Sequence, residues 1–288
     1  MDDISGIDLV GLQRKSLDIA EYFGDFCQEH DLLFYCCGGC CIGALRHKGF
    51  IPWDDDVDFF MPRNDYEKLK ILWPEKAEPQ YVLECSHQNA TYGNLFLTIR
   101  DKETTLIKPY QQELDICHGV ALDVLPLDGY PPKNIQRKVQ VFWALIYSLY
   151  CSQIVPENHG KGAAFLGKLG LKLIPSQKLR YKIWRYAEKK MTKYSIDDPK
   201  VDSITELCSG PYYMQKKYPK EAFESAIFID FEDTKMPIPV GYDTYLRLAF
   251  GNYMELPPVE KRTPHHDAVF MDLEHSYTQY KGIYYCKK

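Results

Sequence analysis

Arg46-His47-Lys48-Gly49-Phe50-Ile51-Pro52-Trp53-Asp54-Asp55-Asp56-Val57-Asp58 sets two fixed cations and four carboxylates within thirteen residues. The run passes from a turn into an apolar strand where the carboxylates fall. Like charges this close raise one another's energy unless a cation lies between them, and a divalent metal ion is the simplest candidate. In an extended strand alternate side chains share one side, so Asp56 and Asp58 project together while Val57 turns to the core. Asp55 reads as a solvated turn residue, and Asp54 fits either a turn or a site. The pattern points to metal-dependent chemistry on a phosphorylated substrate.

Working outward, Asp8 to Glu29 carries apolar residues at helical spacing and predicts an amphipathic helix. Leu32 to Cys37 predicts a strand stopped by a Gly38-Gly39 turn, with a helix resuming from Cys40 to Arg46. Backbone without side chains at such a turn approaches a ligand closely, and the following helix start offers N–H groups to phosphate. Downstream, Val57 to Met61 predicts a second strand ended by Pro62, and Asn64 a cap for a helix through Trp73. Further strands are expected at Tyr81–Cys85, Leu95–Arg100, Thr104–Ile107 and Val120–Val124. Asp123 is a lone acid in the last of these, and a carboxylate among apolar strand neighbours demands a partner. With Asp56 and Asp58 it makes a three-carboxylate set suited to one or two magnesium ions, or manganese, in nucleotidyl or phosphoryl transfer. The expected fold is α/β (α+β), a mixed β-sheet flanked by helices.

The chain has 288 residues, 45% hydrophobic and 26% charged, as expected of a folded protein rather than a disordered one. Met1 to Asp8 shows no secretory signal, so a cytoplasmic location with reduced cysteines is expected. Cys36, Cys37, Cys40 and Cys41 contain one C-x-x-C spacing but no second pair for a zinc site, and read as small residues filling tight space. The net charge of −5 divides unevenly. Between Pro131 and Ser195 stand thirteen Lys and Arg against Glu157 and Glu188, a +11 segment in a chain otherwise at −16. Composition thus suggests a core over 1–130, a mainly helical basic insertion or second subdomain over 131–200, and a C-terminal region over 201–288. Helical stretches at 135–155, 165–174 and 178–193 admit either peripheral contact with an anionic membrane surface or simple solvation, and none is apolar enough to span one. Nucleic acid is not expected as a partner, because the basic residues sit away from the acidic run and form no reader motif.

The stretch from Gly38-Gly39 through Gly43-Ala44-Leu45 to Asp58 closely resembles the signature of the LicD family of phosphorylcholine transferases, relatives of fukutin-type phosphosugar transferases. The likeness extends to Met61–Tyr66, to Leu122–Asp128 and to the late run Pro237–Pro239, Gly241–Leu246, Phe250–Met254 and Pro257-Pro258. It implies a nucleotidyltransferase-like fold that moves phosphocholine from CDP-choline to a sugar hydroxyl of a glycan, lipid-linked glycan or teichoic acid precursor. On that basis Asp56 and Asp58 match the metal-binding pair and Asp123 the third acid. Gly38 and Gly39 would cradle phosphate, with Arg46, His47 or Lys48 neutralising charge as CMP departs and Asp123 orienting or deprotonating the hydroxyl. Where the family carries a hydroxyl residue and a leucine after the glycines, this chain has Cys40 and Cys41, which shifts the expected phosphate contacts to backbone N–H groups. Choline requires aromatic faces, for which Trp53, Tyr92 and Tyr110 are candidates. Lys261, Arg262, His265 and His266 follow a Pro-Pro turn and either reach the donor phosphates or lie on the surface. A CDP-glycerol or CDP-ribitol donor, and a noncatalytic polyanion-binding protein on the same fold, are the alternatives.

Overall fold

The computed structural model describes residues 8–154, 161–263 and 268–287. In chain order the first elements are α1 (Leu9–Glu29), β1 (Tyr35–Cys36), α2 (Gly38–Arg46), β2 (Asp58–Pro62), α3 (Arg63–Lys76), β3 (Tyr81–Glu84), β4 (Leu97–Asp101) and β5 (Thr105–Ile107). There follow β6 (Val120–Gly129), α4 (Asn134–Ser152), α5 (Lys161–Leu173), α6 (Gln177–Met191), β7 (Ser203–Glu206) and β8 (Tyr218–Pro219). The chain closes with β9 (Ala226–Phe231), β10 (Thr234–Pro239), α7 (Tyr242–Phe250) and β11 (Phe270–Asp272). The mixed sheet flanked by helices is the architecture expected from sequence.

The described residues pack as two compact units, one drawn from Met1–Glu84, Thr98–Val124 and Ala222–Lys288, the other from Cys85–Leu97 and Leu125–Glu221. In the first, strands run in the order β1-β2-β6-β4-β3. Asp8 caps α1 by accepting from the Gly11 N–H at 2.9 Å. The buried face of α1 puts Phe23 against Phe34 and Phe59, each at 5.1 Å, and Phe26 against Trp73 at 4.6 Å. This aromatic cluster anchors β2, and with it the position of Asp58 at the strand's first residue. Two boundaries differ from the sequence reading. Helix α2 begins at Gly38 rather than Cys40, and Gly38 itself takes φ +50°, a left-handed conformation that glycine adopts without strain. Helix α3 begins at Arg63 on an extended Pro62 rather than after Asn64, since the fixed ring φ already suits that junction.

Arg100 of β4 is 2% exposed and pairs through Nε with Glu84 Oε2 at 2.9 Å. Its other nitrogens reach the Gly119 carbonyl at 3.0 Å and Gln111 Oε1 at 3.2 Å, while the Cys117 N–H satisfies Glu84 Oε1 at 2.8 Å. A buried charge so fully partnered holds β3, β4 and the approach to β6 in one register.

In the second unit, α4 and α6 pack through Ala144, Tyr147, Trp184, Ala187 and Met191. Helix α4 stops at Ser152, with Gln153 in left-handed conformation as its cap, rather than at residue 155. Arg137, inside this unit, donates to Gln140 Oε1, Thr205 Oγ1 and the Met214 carbonyl, and lies 4.3 Å over the Tyr130 ring. Among the described residues no helix is long and apolar enough to cross a membrane.

Glu206 of β7 is 3% exposed and accepts from the Tyr218 hydroxyl. Burial pushes its carboxyl up to about 7, with the Tyr218 bond opposing. Folding therefore favours the neutral acid. That stabilisation is complete below the unfolded carboxyl range and is lost as pH rises through about 7, amounting to about 3 kcal/mol by about pH 8. Glu206→Gln should flatten this decline in urea-unfolding free energy between weakly acidic and weakly alkaline pH. An unchanged slope would assign the decline to other groups.

Candidate functional site

The acidic loop between α2 and β2 is held from three sides. From α1, Gln13 Nε2 donates to the Asp54 carbonyl at 2.8 Å and the Ile51 carbonyl at 3.3 Å. From the β9–β10 hairpin, Glu232 accepts from the Phe50 N–H at 2.9 Å and returns its own N–H to the Lys48 carbonyl at 2.7 Å. From β6, the Asp123 N–H donates to the Val57 carbonyl at 3.1 Å, which sets Asp123 beside the acidic run. A loop pinned this way keeps its carboxylates close despite their repulsion.

One carboxylate oxygen from each of Asp54, Asp55 and Asp56 lies within 4.8 Å of the others. Asp54 is 7% exposed and rests on the first turn of α2, where a Cβ on Gly39 would collide with its Oδ2. The N-terminal end of a helix favours a negative charge there. Asp55, which the sequence suggested as a solvated turn residue, is half-buried and part of this cluster. Val57 is buried at 2%, while Asp56 and Asp58 on either side are partly open. Burial and the charges of Asp56 and Asp123 push the Asp58 carboxyl well above the usual range; Lys108 opposes the shift and Asp54 adds to it. Asp123 stands on the half-open face of β6 with Ala121, between buried Leu122 and Val124. Its Oδ1 accepts from Thr98 Oγ1 at 2.6 Å.

A cationic pole adjoins these acids. Arg46 Nη1 donates to the Tyr253 and Glu255 carbonyls at 2.9 and 3.2 Å, and its Nε donates to His47 Nε2 at 3.0 Å. His47 must then be neutral and carry its proton on Nδ1, in keeping with a pKa lowered by burial and by Arg46. Burial and the neighbouring guanidinium of Arg262 lower the pKa of Arg46, and Asp54 opposes them. Arg262 is fixed by a bond to the Pro257 carbonyl at 2.9 Å and stacks 5.6 Å over Trp53, whose ring also meets that of His47 at 6.3 Å. Arg46, His47, Trp53, Asp54 and Arg262 are thereby brought together. Two guanidinium groups that repel each other thus stand beside neutral aromatic rings, and Asp54 lies between them and the acids.

Other residues singled out in the sequence lie differently. The Gly38 N–H donates to Tyr245 Oη at 3.0 Å rather than standing open. Lys48 is exposed at φ 58°, and Lys261 is exposed in a short 3-10 turn. His265 and His266 lie outside the described residues. Cys36, Cys37, Cys40 and Cys41 are buried, unbridged thiols, and burial raises those of Cys36 and Cys41 well above the ordinary value. Gln13, Thr98, Lys108 and Tyr245 were not singled out as site residues. Only Tyr245 carried a signal, from its place in the late run resembling the LicD family.

The acids thus lie on adjoining strands beside a glycine-opened helix. Residues 32–114 match the LicD/FKTN/FKRP nucleotidyltransferase domain. The chain is also 29% identical over 264 residues to the lipopolysaccharide cholinephosphotransferase LicD of Haemophilus influenzae, covering 88% of this chain and 94% of that protein.

The Arg46–His47 bond gives a local check on the cationic pole. Arg46→Gln should return the His47 pKa toward the ordinary imidazole value in an NMR titration, because it removes the second cause of the shift. An unmoved titration would show that burial alone sets it.

Proposed function

We propose that this chain transfers phosphocholine from CDP-choline to a sugar hydroxyl of a cell-surface glycan of the lipopolysaccharide type, with magnesium as cofactor. The observation that carries the reading is the two-pole site: a carboxylate cluster around Asp58 joined through Asp54 to the paired guanidiniums of Arg46 and Arg262. The acids would hold a cation and the arginines would bind the charge of a diphosphate. The similarity to a lipopolysaccharide cholinephosphotransferase supports the choice of group and acceptor.

The acids suit a hard divalent ion, since every donor is a carboxylate oxygen, and the Asp58 carboxyl is raised by burial and then by Asp56 and Asp123. Asp56, Asp58 and Asp123 would hold magnesium, or manganese in its place, and the ion would neutralise the diphosphate. Arg46 and Arg262 bind the donor phosphates and stabilise charge on the departing CMP. Thr98 fixes one oxygen of Asp123, which orients the carboxylate toward the acceptor. The acceptor oxygen forms a bond to the choline-bearing phosphorus, the bond from that phosphorus to the bridging oxygen breaks, and CMP leaves with the oxygen. The hydroxyl proton passes to Asp123. Trp53, already stacked under Arg262, offers an aromatic face beside the phosphates.

Incubation with a lipopolysaccharide acceptor should release CMP from CDP-choline in the presence of magnesium and not after chelation. CMP from CDP-glycerol or CDP-ribitol alone would reassign the donor. Asp56→Asn and Asp58→Asn should each lower kcat by on the order of 10²-fold or more with the circular dichroism spectrum unchanged. Wild-type turnover in either variant would remove that residue from the site.

A further inference from the structure

The second unit presents a face that the transfer chemistry does not use. Along α4, Ile135, Val139, Phe142 and Leu145 are exposed on the side opposite the buried Arg137, Gln140, Ala144 and Tyr147. Phe142 is 54% exposed. On α5, Phe165, Leu169 and Leu173 recur four residues apart and are exposed, Phe165 at 65%. Leu179 and Tyr186 extend the apolar surface on α6. These faces are tied together. Phe142 meets Trp143 at 5.2 Å and Trp143 meets Tyr186 at 5.3 Å, with Lys190 lying 5.1 Å over the Tyr186 ring. Helix α5 is fastened to α4 by Tyr150 Oη donating to the Gly170 carbonyl at 3.3 Å, and to α6 by Arg180 donating to the Leu171 and Ile174 carbonyls at 2.7 and 2.6 Å.

Charge decides what covers this surface. Lys138, Lys168, Lys172, Lys182 and Lys189 stand exposed among the apolar residues. In all three helices the single acid is Glu188, which is 8% exposed and bonded to Arg185. A second copy would bring an equally basic face against this one, so an isologous pair repels. A soluble polyanion would neutralise the lysines but leave the phenylalanines and leucines in water. A bilayer rich in anionic headgroups meets both demands, taking apolar side chains at the acyl boundary, aromatic rings at headgroup level and ammonium groups against phosphate. We propose that α4, α5 and α6 form a docking surface for an anionic lipid bilayer, binding peripherally with the helices lying on the surface. This surface is independent of the proposed donor and acceptor, because it is built wholly from the second unit.

The test is co-sedimentation of the full chain with vesicles of phosphatidylcholine alone or with phosphatidylglycerol added, without nucleotide or magnesium. Binding to the phosphatidylglycerol vesicles is expected to be at least about tenfold tighter and to weaken at high salt. The double substitution Phe142→Ser/Phe165→Ser should lower that affinity about tenfold or more, whereas Ile71→Ser, at an exposed apolar position on α3, should leave it unchanged. Thermal melts confirm that each variant folds. A second pair, Lys168→Glu/Lys172→Glu, should lose binding to anionic vesicles without a change in melting. Equal binding to both lipid compositions, wild-type binding by the patch variants, or patch-dependent self-association in place of vesicle binding would each overturn the proposal. Loss of CMP release with vesicle binding intact would instead fault the transfer reading.

Discussion

Mutual repulsion among the carboxylates at the head of β2 is the constraint around which the first unit is arranged. Burial acts first on the carboxyl of Asp58, the charges of Asp56, Asp123 and Asp54 push it the same way, and Lys108 opposes them. Left to itself such a loop would spread until solvent screened its charges. It does not, because its backbone is bound at both ends and in the middle: by Gln13, by the Glu232 hairpin and by the Val57–Asp123 pairing. The aromatic cluster of Phe23, Phe34, Phe59 and Trp73 lies behind β2 and makes the strand an unyielding support. Packing free energy thus maintains an electrostatically unfavourable arrangement.

The second pole has the opposite character and the same logic. Burial and the nearby Arg262 lower the pKa of Arg46, and each guanidinium is tethered to backbone carbonyls. His47 accepts from Arg46 and so contributes no charge of its own. Asp54 is the residue common to both poles. Its position on α2 depends on Gly39, because any side chain there would push the carboxylate out of place. One glycine therefore couples helix geometry to the electrostatics of both halves.

Much of this was legible in the chain. The acidic run, the period-two placement of Asp56 and Asp58 about buried Val57, and the third acid at Asp123 are local patterns, and the amphipathic period of α1 gave its limits closely. Contacts distant in sequence were not legible. Tyr245 lies 207 residues from the Gly38 N–H it accepts from, and Gln13 lies 41 residues from Asp54. Thr98 sits in a strand whose residues are all buried, so nothing local distinguishes its hydroxyl from a packing choice. Composition marked the basic segment from Pro131, but could not show that Cys85–Leu97 packs with it, through Tyr147 donating to the Leu95 carbonyl at 2.8 Å. Nor did alternation reveal that Asp123 is half-open rather than buried, since that depends on what covers β6.

The divalent cation proposed for the carboxylates around Asp58 is open to direct measurement. Titration of the nucleotide-free protein with Mn²⁺, followed by loss of the free-ion electron paramagnetic resonance signal, tests it without reference to any substrate. The wild-type chain should deplete the signal at low ion concentration, and Asp58→Asn and Asp123→Asn should each abolish that depletion while remaining folded. Equal depletion by wild type and both variants would contradict a metal centre at this cluster.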